Sequence, residues 1–366
     1  MTEKVINYFC GGNTAKGFYG LYESNMQGLE TIYLLKGGPG TGKSTLIKRV
    51  ANEWGEKGYH LELIHCSTDN DSLEALIIPE LKFGVFDSTS PHVLEPTAPG
   101  AIEQYVNLGS AWDIAKLKDK RQEIINYQQS IQEIYQKSYA SFKNGLQIHD
   151  DLEEIYIREM DFAKANQVTV DLIDQIFVGK RSSGQEQITR HRFFGASTPD
   201  GVVDFIPNIT EGLLKRYFIK GRAGTGKSTL LKKVATAGEE RGFDVEMYHC
   251  GFDPDSIDMV IIRELGVSVF DSTDPHEYFP DRHGDEIVDL YQKTVTPGTD
   301  EKYQAEITDV TKRYKQRMKE GILYLQEAKS LHDQLEKIYV DAVNFSVIDG
   351  FYEDINKAVE QQEKEV

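Results

Sequence analysis

The sequence predicts an α/β protein of two homologous copies, each a parallel sheet with flanking helices followed by a long helical segment or helical hairpin. Three observations carry that prediction. The octapeptide Gly37-Gly38-Pro39-Gly40-Thr41-Gly42-Lys43-Ser44 recurs as Gly221-Arg222-Ala223-Gly224-Thr225-Gly226-Lys227-Ser228, and both fit G-x-x-x-x-G-K-[ST]. At the same offset of 184, His65-Cys66 returns as His249-Cys250, and Asp87-Ser88-Thr89-x-Pro91-His92 returns as Asp271-Ser272-Thr273-x-Pro275-His276. Beyond each of these cores, apolar residues recur at three, four and seven, the rhythm of an amphipathic helix.

The duplication runs the length of the chain. From about residue 33 to 92 the copies align without a gap, and about half the positions are identical. Upstream, Phe9, Gly11, Thr14 and Gly17 match Phe193, Gly195, Thr198 and Gly201. In the tails, His149-Asp150-x-Leu152-Glu153-x-Ile155-Tyr156 returns as His332-Asp333-x-Leu335-Glu336-x-Ile338-Tyr339 at an offset of 183. The copies therefore occupy residues 1–184 and 185–366, with helical arms over about 112–178 and about 300–362. The polar stretch from Gly179 to Glu186 reads as the linker, and the repeat allows an internal pseudodimer.

Composition narrows the class. A chain of 366 residues suits about two domains, and 39% hydrophobic with 27% charged residues is an ordinary soluble balance. The formal charge of −18 argues against a protein that grips nucleic-acid phosphates, since that relies on clustered Lys and Arg. Three cysteines, Cys10, Cys66 and Cys250, make no disulfide framework and suit a reducing compartment. No run reaches the roughly 18 apolar residues of a membrane span. The start, Met-Thr-Glu-Lys-Val, lacks the apolar core of a signal peptide. The expectation is a cytoplasmic protein without a membrane segment.

Each copy then reads in order. A Gly-rich, hairpin-like segment from Phe9 to Tyr22 precedes a short apolar strand (Ile32 to Leu35; Tyr217 to Ile219 in the second copy) and the octapeptide. A helix from about Lys43 to Lys57 should stop at Gly58, a C-terminal cap. Tyr59 to Cys66 reads as a strand, Asp71-Ser72 as the cap of a short helix through Ile78, and Phe83 to Phe86 as a strand ending at Asp87. Strands alternating with helices imply a parallel sheet covered on both faces. In the arm, Ile114, Leu117, Ile124, Ile131, Ile134, Phe142 and Leu146 mark one helix face. Continued to about residue 163 this helix would span roughly 75 Å, long for a domain of this size; a break at Asn144-Gly145 would fold it into a hairpin. Tyr303, Ile307, Val310, Tyr314, Met318, Ile322 and Leu325 repeat the rhythm, with Gly321 inside. The arm reads either as a lid or partner-binding element, or as a layer packed on its own sheet or on the other copy.

The octapeptides carry the chemistry. Their glycines let backbone N–H groups turn inward around an anion, and the following helix adds its positive end. Residues 37–45 and 221–229, through Thr45 and Thr229, would cradle phosphates. Lys43 and Lys227 would reach the β- and γ-phosphates, and the hydroxyls of Ser44 and Ser228 would hold Mg²⁺. Asp87 and Asp271 end apolar runs, where a carboxylate can stand beside the loop and hold the same ion; an Asp turning the chain is the alternative. His92 and His276 follow five residues later, as γ-phosphate sensor, substrate ligand or general base, or simply as loop anchors.

On these motifs the chain resembles the P-loop NTPases over roughly the first 100 residues of each copy. The duplicated layout and the Asp-Ser-Thr-x-Pro-His element also look like a group of bacterial tandem P-loop ATPases, some labelled nucleotide kinases. The resemblance implies a fold and two Mg-ATP sites, and names no acceptor. Ser88 and Ser272 stand where many such ATPases carry a catalytic Glu, and no Asn-Lys-x-Asp guanine motif appears, since Asn356-Lys357-Ala358-Val359 fails at its last position.

The remaining candidates are weaker. His65-Cys66 and His249-Cys250 would point to opposite faces of a strand and so chelate poorly. Asp69 and Asp71, with Asp253 and Asp255, would position an acceptor hydroxyl or cap a helix. Thr14-x-x-Gly17 and Thr198-x-x-Gly201 read as turns or as an edge of the base pocket. Arg121, Arg190, Arg192, Arg282 and Arg313 are equal candidates for a catalytic arginine. The expected function is a Mg-ATP-dependent phosphotransferase or ATPase with two nucleotide sites. Its rival is a nucleotide-dependent switch or assembly protein whose arms bind a partner.

Overall fold

The computed structural model describes residues 5–182 and 187–365. Residues 1–4 and 366, and the second half of the expected linker, 183–186, lie outside that set. Strand β1 (Val5–Phe9) leads into the hairpin β2 (Gly11–Thr14) and β3 (Gly17–Gly20), the short helix α1 (Tyr22–Met26) and strand β4 (Thr31–Lys36). Helix α2 (Lys43–Glu56) and strands β5 (Leu61–His65), β6 (Leu73–Ile78), β7 (Phe83–Asp87) and β8 (Glu103–Asn107) complete the first core. Its arm holds α3 (Ile114–Asp119), α4 (Arg121–Arg158) and α5 (Phe162–Phe177). The second copy repeats the order as β9 (Thr189–Phe193), β10 (Gly195–Thr198), β11 (Gly201–Asp204), α6 (Ile206–Ile209), β12 (Lys215–Lys220) and α7 (Lys227–Glu239). Strands β13 (Val245–His249), β14 (Ile257–Ile262), β15 (Val267–Asp271) and β16 (Asp285–Asp289) follow. Helices α8 (Leu290–Thr294), α9 (Thr299–Lys302), α10 (Gln304–Val340) and α11 (Phe345–Glu365) end the chain.

Both copies share one mixed sheet of twelve strands, ordered β16-β12-β15-β14-β13-β9-β1-β5-β6-β7-β4-β8. The order is a palindrome about the β9–β1 join. There Phe9 pairs antiparallel with Phe193, its own repeat equivalent, as only a local two-fold axis allows. One apolar core runs under both halves, joining Tyr8, Ile64 and Phe86 to Phe194, Phe218 and Phe270.

The expected helix after Asp71-Ser72 is instead strand β6, antiparallel to both β5 and β7, and β14 repeats it. Leu73, Ala75, Leu76, Ile77 and Ile78 are all buried, and so is Glu74 between them, as in a strand covered on both faces. Pairing is parallel where the octapeptide strands lie, with β4 between β7 and β8 and β12 between β15 and β16.

The arms differ from expectation too. Helix α4 runs unbroken through Asn144-Gly145 for 38 residues, so there is no hairpin within it. Instead α4 packs along α10, and Gly145 faces Arg317 and Met318 of that helix. The glycine serves close approach, and burial against a partner outweighs its roughly 1 kcal/mol helix penalty. Each arm then ends on the opposite copy: Leu172, Ile176 and Phe177 of α5 enter the core under β12 and α7, and Ile348, Ile355 and Val359 of α11 enter the core under β4 and α2. Among the described residues, no helix is long and apolar enough to cross a membrane.

Candidate functional site

The register of three parallel strands builds the site. Leu35 of β4 pairs with Asp87 of β7, and Ile219 of β12 with Asp271 of β15. Each aspartate thus stands beside the loop that leaves the neighbouring strand. The loops turn at Gly40 (φ +64°) and Gly42 (φ +84°), and at Gly224 (φ +71°) and Gly226 (φ +82°), conformations that favour glycine. Helices α2 and α7 begin at the lysines.

Within each loop the polar atoms close on one another. Thr41 Oγ1 donates to the Gly38 carbonyl at 2.8 Å, and Thr225 Oγ1 to the Arg222 carbonyl at 2.8 Å. Lys43 Nζ donates to the carbonyls of Gly37 (3.1 Å) and Gly38 (2.8 Å) and lies 3.7 Å from Asp87. Lys227 Nζ donates to the Arg222 carbonyl at 2.8 Å and lies 3.5 Å from Asp271. Ser44 Oγ accepts the Leu73 amide at 3.0 Å, and Ser228 Oγ the Ile257 amide at 2.9 Å. That bond fixes each serine oxygen while leaving it a lone pair. Thr45 and Thr229 are exposed on the first turns of their helices. A hard cation beside an anionic ligand suits this oxygen pair, Ser with Asp, next to one lysine.

Ser88 and Ser272 are structural. Ser88 Oγ donates to the Leu94 carbonyl at 2.8 Å and accepts its amide, and Ser272 Oγ does the same with Tyr278, donating at 2.7 Å. They tie down the loops that carry the histidines, whose Ser90–Pro91 and Asp274–Pro275 bonds are both cis.

The histidines have diverged. His92 is buried between two carboxylates, with Nε2 3.6 Å from Asp87 and Nδ1 3.8 Å from Glu74. Burial would lower its pKa, but Glu74 and Asp87 outweigh that and raise it. Burial would raise Asp87, yet His92 and Lys43 hold it below the ordinary carboxylate range. Glu74 is pushed up by burial, although His92 and the Tyr22 hydroxyl, 2.6 Å away, oppose the shift. In the second copy His276 bonds Asp204 at 2.8 Å instead, and Tyr278 donates to the same carboxylate at 2.8 Å. Asp258, at the Glu74 position, is pushed up to about 6 by burial and by Asp271.

Neither site is made by one copy alone. The last turns of α4 lie on the second loop: a Cβ at Gly224 would sit 2.7 Å from the Glu153 carbonyl and 3.0 Å from Ile157. The last turns of α10 lie on the first: a Cβ at Gly40 would sit 2.8 Å from the Glu336 carbonyl and 3.0 Å from its Cγ, and Gly38 meets Tyr339. Around the second loop a cavity of about 950 Å³ is lined by Lys227, Ser228, Asp253, Asp271 and His276 of one copy and by His149 and Glu153 of the other. The His-Asp-x-x-Glu repeat was legible in the sequence; that it reaches the opposite loop depends on how the arms cross.

The other candidates fall outside the glycine-rich loops. His65 Nε2 bonds Asn7 at 2.8 Å and Cys66 Sγ lies 3.0 Å from Thr68, so the pair shares no ligand. Asp69 accepts from Ser72 at 2.6 Å and lies 3.7 Å from Lys329 of α10. Asp71 and Asp255 cap no helix, since strands follow, and Asp255 pairs with Lys16. Thr14 Oγ1 donates to the Gly17 carbonyl at 2.8 Å, closing the expected turn. Arg192 is buried between Glu62 and Glu246, Arg282 donates to the Thr210 carbonyl and Arg313 pairs with Asp309. Among the described residues, His332, Asp333 and Glu336 gather ligand atoms within 4.8 Å of one another, and Lys329 already sits 2.5 Å from Asp333. No family model, no curated protein and no solved structure matches the chain.

Proposed function

We propose that the protein binds two Mg-ATP molecules, one on each glycine-rich loop, and transfers or hydrolyses the terminal phosphoryl group. The observation that supports this most is the repeated constellation of a helix-starting lysine within 3.7 Å (Lys43) and 3.5 Å (Lys227) of an aspartate on the adjacent parallel strand. Phosphoryl transfer depends on positioned charge more than on reactive side chains. Each loop offers a helix N-terminus and an ammonium that rests on carbonyl oxygens and would turn to an incoming phosphate. Ser44 with Asp87, and Ser228 with Asp271, would hold the Mg²⁺ that accompanies ATP and offsets phosphate charge.

A second reading, a nucleotide-dependent switch, draws support from the helix ends clasping the loops. In that case nucleotide binding would change the packing of α4 and α10 with little turnover.

Calorimetric titration with a nonhydrolysable ATP analogue and Mg²⁺ tests the proposal. Two sites are expected, with Lys43→Ala removing one and Lys227→Ala the other. Undiminished binding in the double variant overturns the assignment.

A further inference from the structure

We infer that each nucleotide site is completed in trans: Glu153 of α4 faces the terminal phosphate bound on the second loop, and Glu336 of α10 faces the one bound on the first. This deepens the proposed function and rests on it. The motif that supplies these residues, His-Asp-x-Leu-Glu-x-Ile-Tyr, occurs once per arm. Both times its glutamate lands on the fourth residue of the opposite octapeptide, Gly224 or Gly40. Those glycines tolerate no side chain because the helix backbone lies against them, within 2.7 and 2.8 Å of where a Cβ would be.

Glu153 lines the same cavity as Lys227, Ser228 and Asp271. Burial and Asp150 push its carboxyl up, while Lys227 and the Gly224 amide, which lies within its reach, pull it down. His149 Nδ1 stands 3.6 Å from Glu153 Oε1, and its ring feels both Lys227 and Asp271. The Gly224 amide belongs to the phosphate cradle, so an arriving γ-phosphate takes that N–H and leaves the carboxylate beside it. A glutamate there fills the role that Ser88 and Ser272, committed to their loops, cannot fill.

In the hydrolytic step, the oxygen of a water forms the new bond to the γ-phosphorus as the bond to the β–γ bridging oxygen breaks. The electron pair leaves with ADP, and the proton released by the water passes to the glutamate carboxylate.

The test separates the two sites by their lysines. In Lys43→Ala protein only the second site works, and adding Glu153→Gln should cut phosphate release from Mg-ATP by about a hundred-fold or more. Affinity for the ATP analogue should persist, which also certifies the fold. In Lys227→Ala protein the same loss should require Glu336→Gln. The inference is overturned if the pairing is reversed, with Glu336→Gln silencing the Lys43→Ala protein. It is equally overturned if neither glutamine changes release, or if wild-type protein binds the analogue and releases no phosphate. Absence of analogue binding to the wild type would instead remove the nucleotide reading itself.

Discussion

Ser138 donates its hydroxyl to the Gly321 carbonyl at 2.9 Å, and the two residues are the same position of the repeat, 183 apart. The long helices therefore cross on the local two-fold axis, close enough for a side chain to reach a backbone oxygen. A Cβ at Gly321 would lie 2.2 Å from Phe142 Cε1. Gly321→Ala should destabilise the protein by about 1–3 kcal/mol, read as a lower denaturation midpoint. Adding Phe142→Leu should recover part of the loss. An unchanged midpoint would mean that the helices do not meet at this point.

The halves should not stand alone. Residues of α11 fill the core of the first copy, where Asn356 Oδ1 accepts from the Trp54 indole at 2.8 Å, and α5 fills the core of the second. Each buried aliphatic side chain contributes about 1.5–3 kcal/mol. Produced as separate chains, residues 1–182 and 187–366 should copurify as a 1:1 complex, and each by itself should lack a cooperative unfolding transition. A folded, monomeric half in sedimentation would contradict this.

Arg192 should be among the costliest single residues to lose. It is buried on the axis, 2.7 Å from Glu62 and 3.6 Å from Glu246, which are repeat equivalents, and it also holds Asn25 at 2.7 Å. Burial would raise Glu246, but Arg263 and Arg192 outweigh it and hold that carboxyl at about 2. Arg192→Met strands carboxylates in the interior, and should cost about 3–5 kcal/mol. Adding Glu62→Gln should return part of it. A loss no larger than that of a surface substitution would refute the role.

Stability should fall on mild acidification. Burial lowers His65 to about 4, and burial also lowers His149, His191, His249 and His332. The unfolded chain takes up these protons near its ordinary value of about 6.5, the folded chain only at lower pH. Their contribution is therefore full above about 6.5 and declines as pH drops toward the folded values. His92, raised, acts in the opposite sense: its contribution is present below about 6.5 and is lost as pH rises through its folded value. Denaturant midpoints at about pH 7.5 and about pH 5 should differ, and His65→Gln should shrink the difference. A flat profile would argue that these rings are not buried neutral.

Sequence reasoning reached the parts of the site that local rules govern. The glycines of the loops, the helix starts at Lys43 and Lys227 and the strand-ending aspartates follow from spacing, and they lie where that spacing puts them. Strand β6 is ambiguous in the sequence because a short apolar run after Asp-Ser suits a capped helix as well as a strand, and only its two neighbours decide. Gly145 looked like a break because its neighbour across α10 lies far away in the chain. The partners of the histidines, Glu74 and Asp204, were invisible for a related reason: they come from different strands, and differ between the copies.

The axis of the sheet also says something about covalent joining. In an assembly of two separate, identical chains, every residue near the axis appears twice, so an arginine between Glu62 and Glu246 would have to face a second arginine. Here its counterpart is Tyr8, whose ring lies 4.2 Å from the Arg192 guanidinium. Likewise Ser138 meets Gly321, and Asp204 occupies the position that is Gly20 in the other half. Fusion lets one cation serve two acids and one small residue admit one large neighbour, solutions that a symmetric pair of chains has no means to encode.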